Sequence, residues 1–202
     1  WQKAEEVKDG SLFFSSTGTT DVRVGSGRMR QSSVINLRVL QGKLNQLAFE
    51  LAGKGEILSV HGDSTVVGWK VSEKDGKRLL EVSLSRPVEK SKQIVIESQV
   101  GMEGKPLEAQ AIRISPVGAL RHSGFLRVAN QGSVRVEVMN TSGLIQLAPD
   151  QFPGSIDKSL RQAVVYRFPS ADYAYKVNAS QVLPEISVNE VTIYELGESD
   201  RK

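Results

Sequence analysis

Cysteine is absent from the 202-residue sequence, which removes disulfides, thiolate metal sites and a cysteine nucleophile in one step. Long apolar runs are absent as well. Nothing approaches the roughly eighteen residues of a membrane-spanning helix, and no charged-then-apolar targeting pattern opens the chain. Charge of one sign is scarce, with 26 Lys and Arg against 23 Asp and Glu. Such a mixed surface lacks the basic stripe of phosphate-backbone recognition, so no nucleic-acid partner is expected. Histidine is limited to His61 and His122, far apart in the chain, with no HExxH pair, EF-hand loop or cysteine pair. No metal and no other cofactor is expected.

What is present is alternation. Between residues 47 and 96 apolar residues return at every second position: Leu47, Phe49, Leu51; then Val67, Trp69, Val71; then Leu80, Val82, Leu84. Side chains that share a face every two residues mark half-buried strands. Asp75-Gly76, between the second and third runs, is a hairpin signal because both positions accept positive φ. Residues 47–96, with further strands at 57–60 and 92–100, are thus expected to form an antiparallel meander around which the chain is built. Trp69 follows the alternation and reads as core.

The rest of the chain reads in the same style. Residues 1–10 form a polar leader. Leu12-Phe13-Phe14 and Val22-Arg23-Val24 read as short strands separated by a polar turn over 15–20, and Ile35, Leu37 and Val39 as another strand. Gly25-Ser26-Gly27 reads as a hairpin loop: it lacks the lysine and hydroxyl of a phosphate-binding Walker loop, and no helix pattern follows it. Arg23, Arg28, Arg30 and Arg38 are candidates for an anion-binding patch, but no aromatics interleave them, and they read as a solvated strand face. Later strands are expected near 107–111, 126–128, 134–138, 144–147, 164–168, 173–177 and 186–193. The fold class is all-β, an antiparallel β-sandwich of roughly a dozen or more short strands. At most one short helix is expected, near 155–162, where Ile156 and Leu160 sit four apart behind Ser155. The sandwich spans 11–202 as one domain, or as two packed sandwiches divided near the hairpin loop at 101–106.

Three groups of residues carry candidate chemistry. Ser59, His61 and Asp63 bring the residue types of acyl transfer to one strand end. Neighbours at i and i+2 on a strand lie about 6.5–7 Å apart at Cα, too far for nucleophile-to-base contact, and no nucleophile elbow surrounds Ser59. A metal site built from His61, His122 and Asp63 requires the fold to bring them together. Tyr166, Phe168, Tyr173 and Tyr175 fall in two strands across a turn at 169–172. Tyr166, Tyr173 and Tyr175 are the candidate binding residues: a stacking platform for a glycan if their face meets solvent, core if it turns inward.

With no convergent ionisable cluster, the expectation is a non-catalytic structural or protein-interaction domain and not an enzyme. Its partners would be other domains of a parent polypeptide or another protein, with a glycan as the alternative. The chain begins at Trp1, which reads as a processed product, a trimmed chain or a segment of something larger, and an extracytoplasmic location is expected. The competing readings are a carbohydrate-binding module using the 164–177 strands and a hydrolase whose site is assembled from distant residues.

Overall fold

A computed structural model describes residues 11–104, 106–154 and 163–181. The leader at 1–10, the helix expected at 155–162 and the strand expected at 186–193 lie outside the described residues. Fourteen strands lie among the described residues: β1 (Phe13–Val24), β2 (Arg28–Gln41), β3 (Leu47–Ala52), β4 (Glu56–His61), β5 (Val66–Lys74), β6 (Lys77–Leu84), β7 (Ser91–Gly101), β8 (Leu107–Ala109), β9 (Arg113–Pro116), β10 (Arg121–Asn130), β11 (Val134–Ser142), β12 (Ile145–Leu147), β13 (Ala163–Phe168) and β14 (Ala174–Gln181). A single 3-10 turn, Pro149–Gln151, is the one helical element among the described residues. No helix among them is long and apolar enough to cross a membrane.

The strands form an all-β sandwich of three mostly antiparallel sheets. One layer is a seven-stranded sheet in the order β12-β13-β10-β1-β2-β7-β4, and the other consists of a four-stranded sheet, β5-β6-β3-β9, and a three-stranded sheet, β11-β14-β8. The inward residues of the large sheet feed two cores. Phe14, Ile35 and Ile94 pack with Phe49 and Leu80 of the four-stranded sheet. Val22, Leu126 and Phe168 pack with Val177 and Ala179 of the three-stranded sheet. Each such buried aliphatic or aromatic side chain contributes about 1.5–3 kcal/mol relative to exposure. A band of buried polar residues contacts the segment between the small sheets: the Thr20 and Ser33 hydroxyls lie 3.3 Å apart, and Gln31 Nε2 donates to Ser33 Oγ at 3.0 Å and to the Ile112 carbonyl at 2.9 Å. It ties β2 to the connection between β8 and β9.

Local chemistry explains the hairpin that the sequence announced. Asp75 (φ 52°) and Gly76 (φ 72°) both take the left-handed conformation between β5 and β6, the geometry whose twist matches the flanking strands. The expected meander is otherwise corrected. β3 pairs with β6 and not with β4, while β4 crosses to the other layer and pairs with β7. Alternation fixes which face is buried, not which neighbour is paired, and both pairings satisfy it. Trp69 is 37% exposed, because β5 is an edge strand and its inward side chains overhang the core.

The turn expected over 15–20 is also corrected, since β1 runs through it as one twelve-residue strand. Its inward residues there are small or polar, Ser16, Gly18 and Thr20. Gly18 lies opposite Gly124 in the parallel pairing of β1 with β10. A Cβ on Gly124 would stand 1.8 Å from the Gly18 carbonyl oxygen and 2.7 Å from Phe168 Cζ, so this close approach requires glycine. At the loop expected over 101–106, Glu103 and Glu108 exchange backbone hydrogen bonds of 3.2 and 2.8 Å, and the strands before and after it, β7 and β8, belong to different sheets.

Candidate functional site: a cationic groove on the large sheet

The outward face of the large sheet is polar by alternation, and strand register sorts that polarity into rows. At one corner, Arg121, Ser15, Arg38 and Ser91 lie side by side across β10, β1, β2 and β7. The next row is Ser123, Thr17, Asn36 and Gln93. These eight positions hold two guanidinium groups, four hydroxyls and two amides, and no carboxylate. Strands lie about 4.8 Å apart, which sets the Cα atoms of Arg121 and Arg38 about 10 Å apart across Ser15. Gln93 Nε2 donates to Asn36 Oδ1 at 2.9 Å, which orients both amides.

A groove of about 630 Å³ opens over this corner, lined by Ser15, Thr17, Asn36, Arg38, Lys90 and Ser91 among others. The Val39 N–H donates to the Lys90 carbonyl at 2.7 Å, fastening the segment that carries Lys90 beside β2. Arg38, Lys90 and Arg121 are exposed, and none of them has an ion-pair partner among the described residues.

A second cavity, of about 410 Å³, shares Lys90 and Ser91 with the first and extends to Arg86. Both of its acids are already engaged. Glu89 pairs with Lys43 at 2.8 Å, and the Lys43 ammonium, with Lys90 adding less, holds the Glu89 carboxyl below the usual carboxylate range. Asp63 Oδ1 accepts from the Thr65 N–H at 2.8 Å, from the Thr65 hydroxyl at 2.6 Å and from the Lys92 ammonium. Lys92 first, then Thr65, hold the Asp63 carboxyl far below its ordinary range. A buried lysine touching a threonine hydroxyl has the composition of an amine-activated nucleophile. Here the hydroxyl gives its hydrogen to Asp63 and the same carboxylate takes up the ammonium, so the cluster acts as a clamp that fixes the turn after β4 to β7.

A serine and a histidine also meet, 106 residues apart, with no spacing along the chain to mark them. Ser16 Oγ lies 2.8 Å from His122 Nδ1, with both residues buried on the inward face and the imidazole tilted against Phe168 at 5.4 Å between ring centres. Burial pulls the His122 pKa down to about 4. No carboxylate touches this imidazole among the described residues, and core side chains seal it from solvent. The pair is a core hydrogen bond.

The residues singled out from the sequence are dispersed. Tyr166, Tyr173 and Tyr175 are 7%, 6% and 6% exposed. β13 and β14 belong to different sheets, so the rings meet across the sandwich, Phe168 stacking on Tyr173 at 4.6 Å and Tyr173 on Tyr175 at 6.4 Å. Burial pushes the Tyr173 hydroxyl up to about 12 and that of Tyr175 well above its ordinary value. Such rings offer no face to a glycan. Ser59 and His61 lie opposite Glu97 and Val95 on β4, while Asp63 turns to Lys92. His61 and His122 are four strands apart, about 19 Å, and among the described residues no three His, Asp or Glu side chains are grouped to hold a metal. Of the four arginines considered as an anion patch, Arg38 alone lines the groove. Arg23 bonds to Asp21 at 3.5 Å, and Arg28 and Arg30 lie toward the other end of β2.

No family model and no curated protein matches the sequence. Among solved structures, the chain is similar to the M1 zinc metallopeptidase from Deinococcus radiodurans, with TM-score 0.47 and 12% identity over 83% of this chain and 42% of that one. A mutant of the same peptidase gives TM-score 0.49 with the same identity and coverage. Native leukotriene A4 hydrolase from Saccharomyces cerevisiae gives TM-score 0.47 and 11% identity over 88% of this chain and 31% of that one. The chain thus spans less than half the length of these proteins. The expectation of a non-catalytic structural or protein-interaction domain finds no support in these matches, whose names are those of a metallopeptidase and a hydrolase. At these scores no property and no site residue of those chains is carried over to this one.

Proposed function

We propose that the chain binds a ligand through an anionic group, a phosphate, sulfate or carboxylate, seated in the groove between Arg38 and Lys90. The observation that carries this reading is the pair of rows built from Arg121, Ser15, Arg38, Ser91 and Ser123, Thr17, Asn36, Gln93. Every one of these side chains can donate a hydrogen bond and none brings a negative charge. A guanidinium matches an oxyanion with two parallel N–H donors, and the neighbouring hydroxyls and amides complete its hydrogen bonds. The groove lies within the size range of small-molecule sites, and its exposed cations give the approach of an anion a favourable field.

Titration calorimetry at low ionic strength with orthophosphate, sulfate and acetate tests the reading. Arg38→Gln is expected to weaken binding of the preferred anion by about tenfold or more, the effect of losing one charge-assisted contact of about 1.5–3 kcal/mol. Arg38 is exposed, so the variant should keep its fold. Unchanged affinity in that variant would remove the groove as the site.

A further inference from the structure

The two cavities have Lys90 and Ser91 in common, so they adjoin along the segment that leads into β7 and together offer more positions than one oxyanion fills. We infer that the ligand is a linear polyanion of linked tetrahedral oxyanions that crosses both cavities, with one charged group at Arg38 and another at Arg86. This inference rests on the anion-binding reading of the first cavity and extends it in length and charge. The supporting chemistry is the state of the charges along the path. Arg38, Lys90 and Arg86 are exposed and without ion-pair partners among the described residues. The two carboxylates beside them are already taken, Glu89 by Lys43 and Asp63 by Lys92.

The Asp63 clamp also explains how the second cavity keeps its shape. Lys92 reaches from β7 to the turn at 62–65, so the cavity wall is held by an interaction that needs no ligand. Lys90 lines both cavities, which places its ammonium within reach of a charge in either. An anion confined to the first cavity would leave Arg86 without a role. A chain of linked oxyanions reaches it, and holding one group raises the effective concentration of the next.

Competition titrations on the whole chain at fixed ionic strength provide the test, using orthophosphate, linear polyphosphate and polyvinyl sulfate, the last two separating phosphate from sulfate chemistry. The polymer is expected to bind more tightly than the single anion by about tenfold or more per bound chain, the scale of linked-site avidity. Arg86→Gln is expected to abolish that gain while leaving orthophosphate binding unchanged, and Arg38→Gln to weaken both. A polymer advantage insensitive to Arg86→Gln, or no advantage at all, would overturn the two-cavity inference while leaving the single-anion site intact. Orthophosphate binding that ignores Arg38→Gln would overturn both.

Discussion

The Lys92 side chain is 3% exposed, while Asp63, its ion-pair partner, is 62% exposed, so the two halves of this pair differ in what their removal leaves behind. Asp63→Ala strands an ammonium in the interior with only the Thr65 hydroxyl for company. Lys92→Met fills the same space with an apolar chain and leaves a carboxylate in water. Removing one partner of a buried charge is costly, whereas replacing the buried charge by a hydrophobic isostere is often neutral. Asp63→Ala is therefore expected to lower the urea midpoint more than Lys92→Met does. Asp63 has a depressed folded-state pKa, so its stabilising effect is complete above its ordinary value of 3.8 and is lost as the pH falls below it. Equal midpoints for the two variants would show that the clamp is not an interior charge pair.

His122 sets a second pH dependence, in a higher window. Its ordinary value is 6.5 and burial lowers it to about 4 in the fold. Above 6.5 both folded and unfolded states hold a neutral imidazole. Between 6.5 and 4 the unfolded chain takes up a proton that the folded chain refuses, so stability falls with pH and levels off below 4, by on the order of 3 kcal/mol in all. Denaturant titrations at pH 7, 6, 5 and 4 should show this slope in the native chain. His122→Asn, which can keep a hydrogen bond to Ser16, should be less stable at neutral pH but flatter across the window. A native chain with no slope between 6.5 and 4 would place His122 in contact with water.

The pairing of Gly18 with Gly124 predicts unequal responses to one methyl group. At Gly124 an added Cβ would collide with backbone at 1.8 Å, whereas at Gly18 its nearest neighbour is His122 Cε1 at 3.1 Å. Backbone cannot yield without breaking the β1–β10 ladder, but a side chain shifts by a few tenths of an ångström. Gly124→Ala is expected to lose more than about 4 kcal/mol or fail to fold, with Gly18→Ala well behind it. Thermal melts followed by far-ultraviolet circular dichroism would rank the two.

These positions also show what the sequence could disclose. Alternation at Leu47, Phe49 and Leu51, or at Leu80 and Val82, reports burial directly, and Asp75-Gly76 reports its turn through backbone sterics. Those signals are local and they survived. Pairing is not local. Ser16 meets His122, and Arg38 joins Arg121 in one row, only because β1 lies parallel to β10, 106 residues away at the Ser16 and His122 positions. The hydroxyls of Ser15 and Thr17 read as a turn because serine, threonine and glycine favour turns when nothing packs against them. Here the inward neighbours Ser16, Gly18 and Thr20 found partners, and the strand continued. Arg38 was visible as a candidate cation, but Lys90, Ser91 and Arg121 were not, since no spacing along the chain marks residues that share a groove.

The tyrosines and Arg38 separate stability from binding in a single comparison. Tyr173 stacks between Phe168 and Tyr175, and Arg113 Nη1 donates to its carbonyl at 2.7 Å, so truncating the ring opens a cavity where the two layers meet. Tyr173→Ala is expected to lose about 3–5 kcal/mol of stability. Its anion affinity, measured at a temperature where it stays folded, should match that of the native chain, because the ring faces the interior and the groove lies on the outer face of the large sheet. Arg38→Gln should behave in the opposite way, with an unchanged unfolding midpoint and a weakened anion complex. Calorimetric titration and denaturant melts on the same two variants give four numbers. A Tyr173→Ala protein that stays as stable as the native chain would return the aromatic cluster to the surface, and a destabilised Arg38→Gln protein would make that arginine a structural residue.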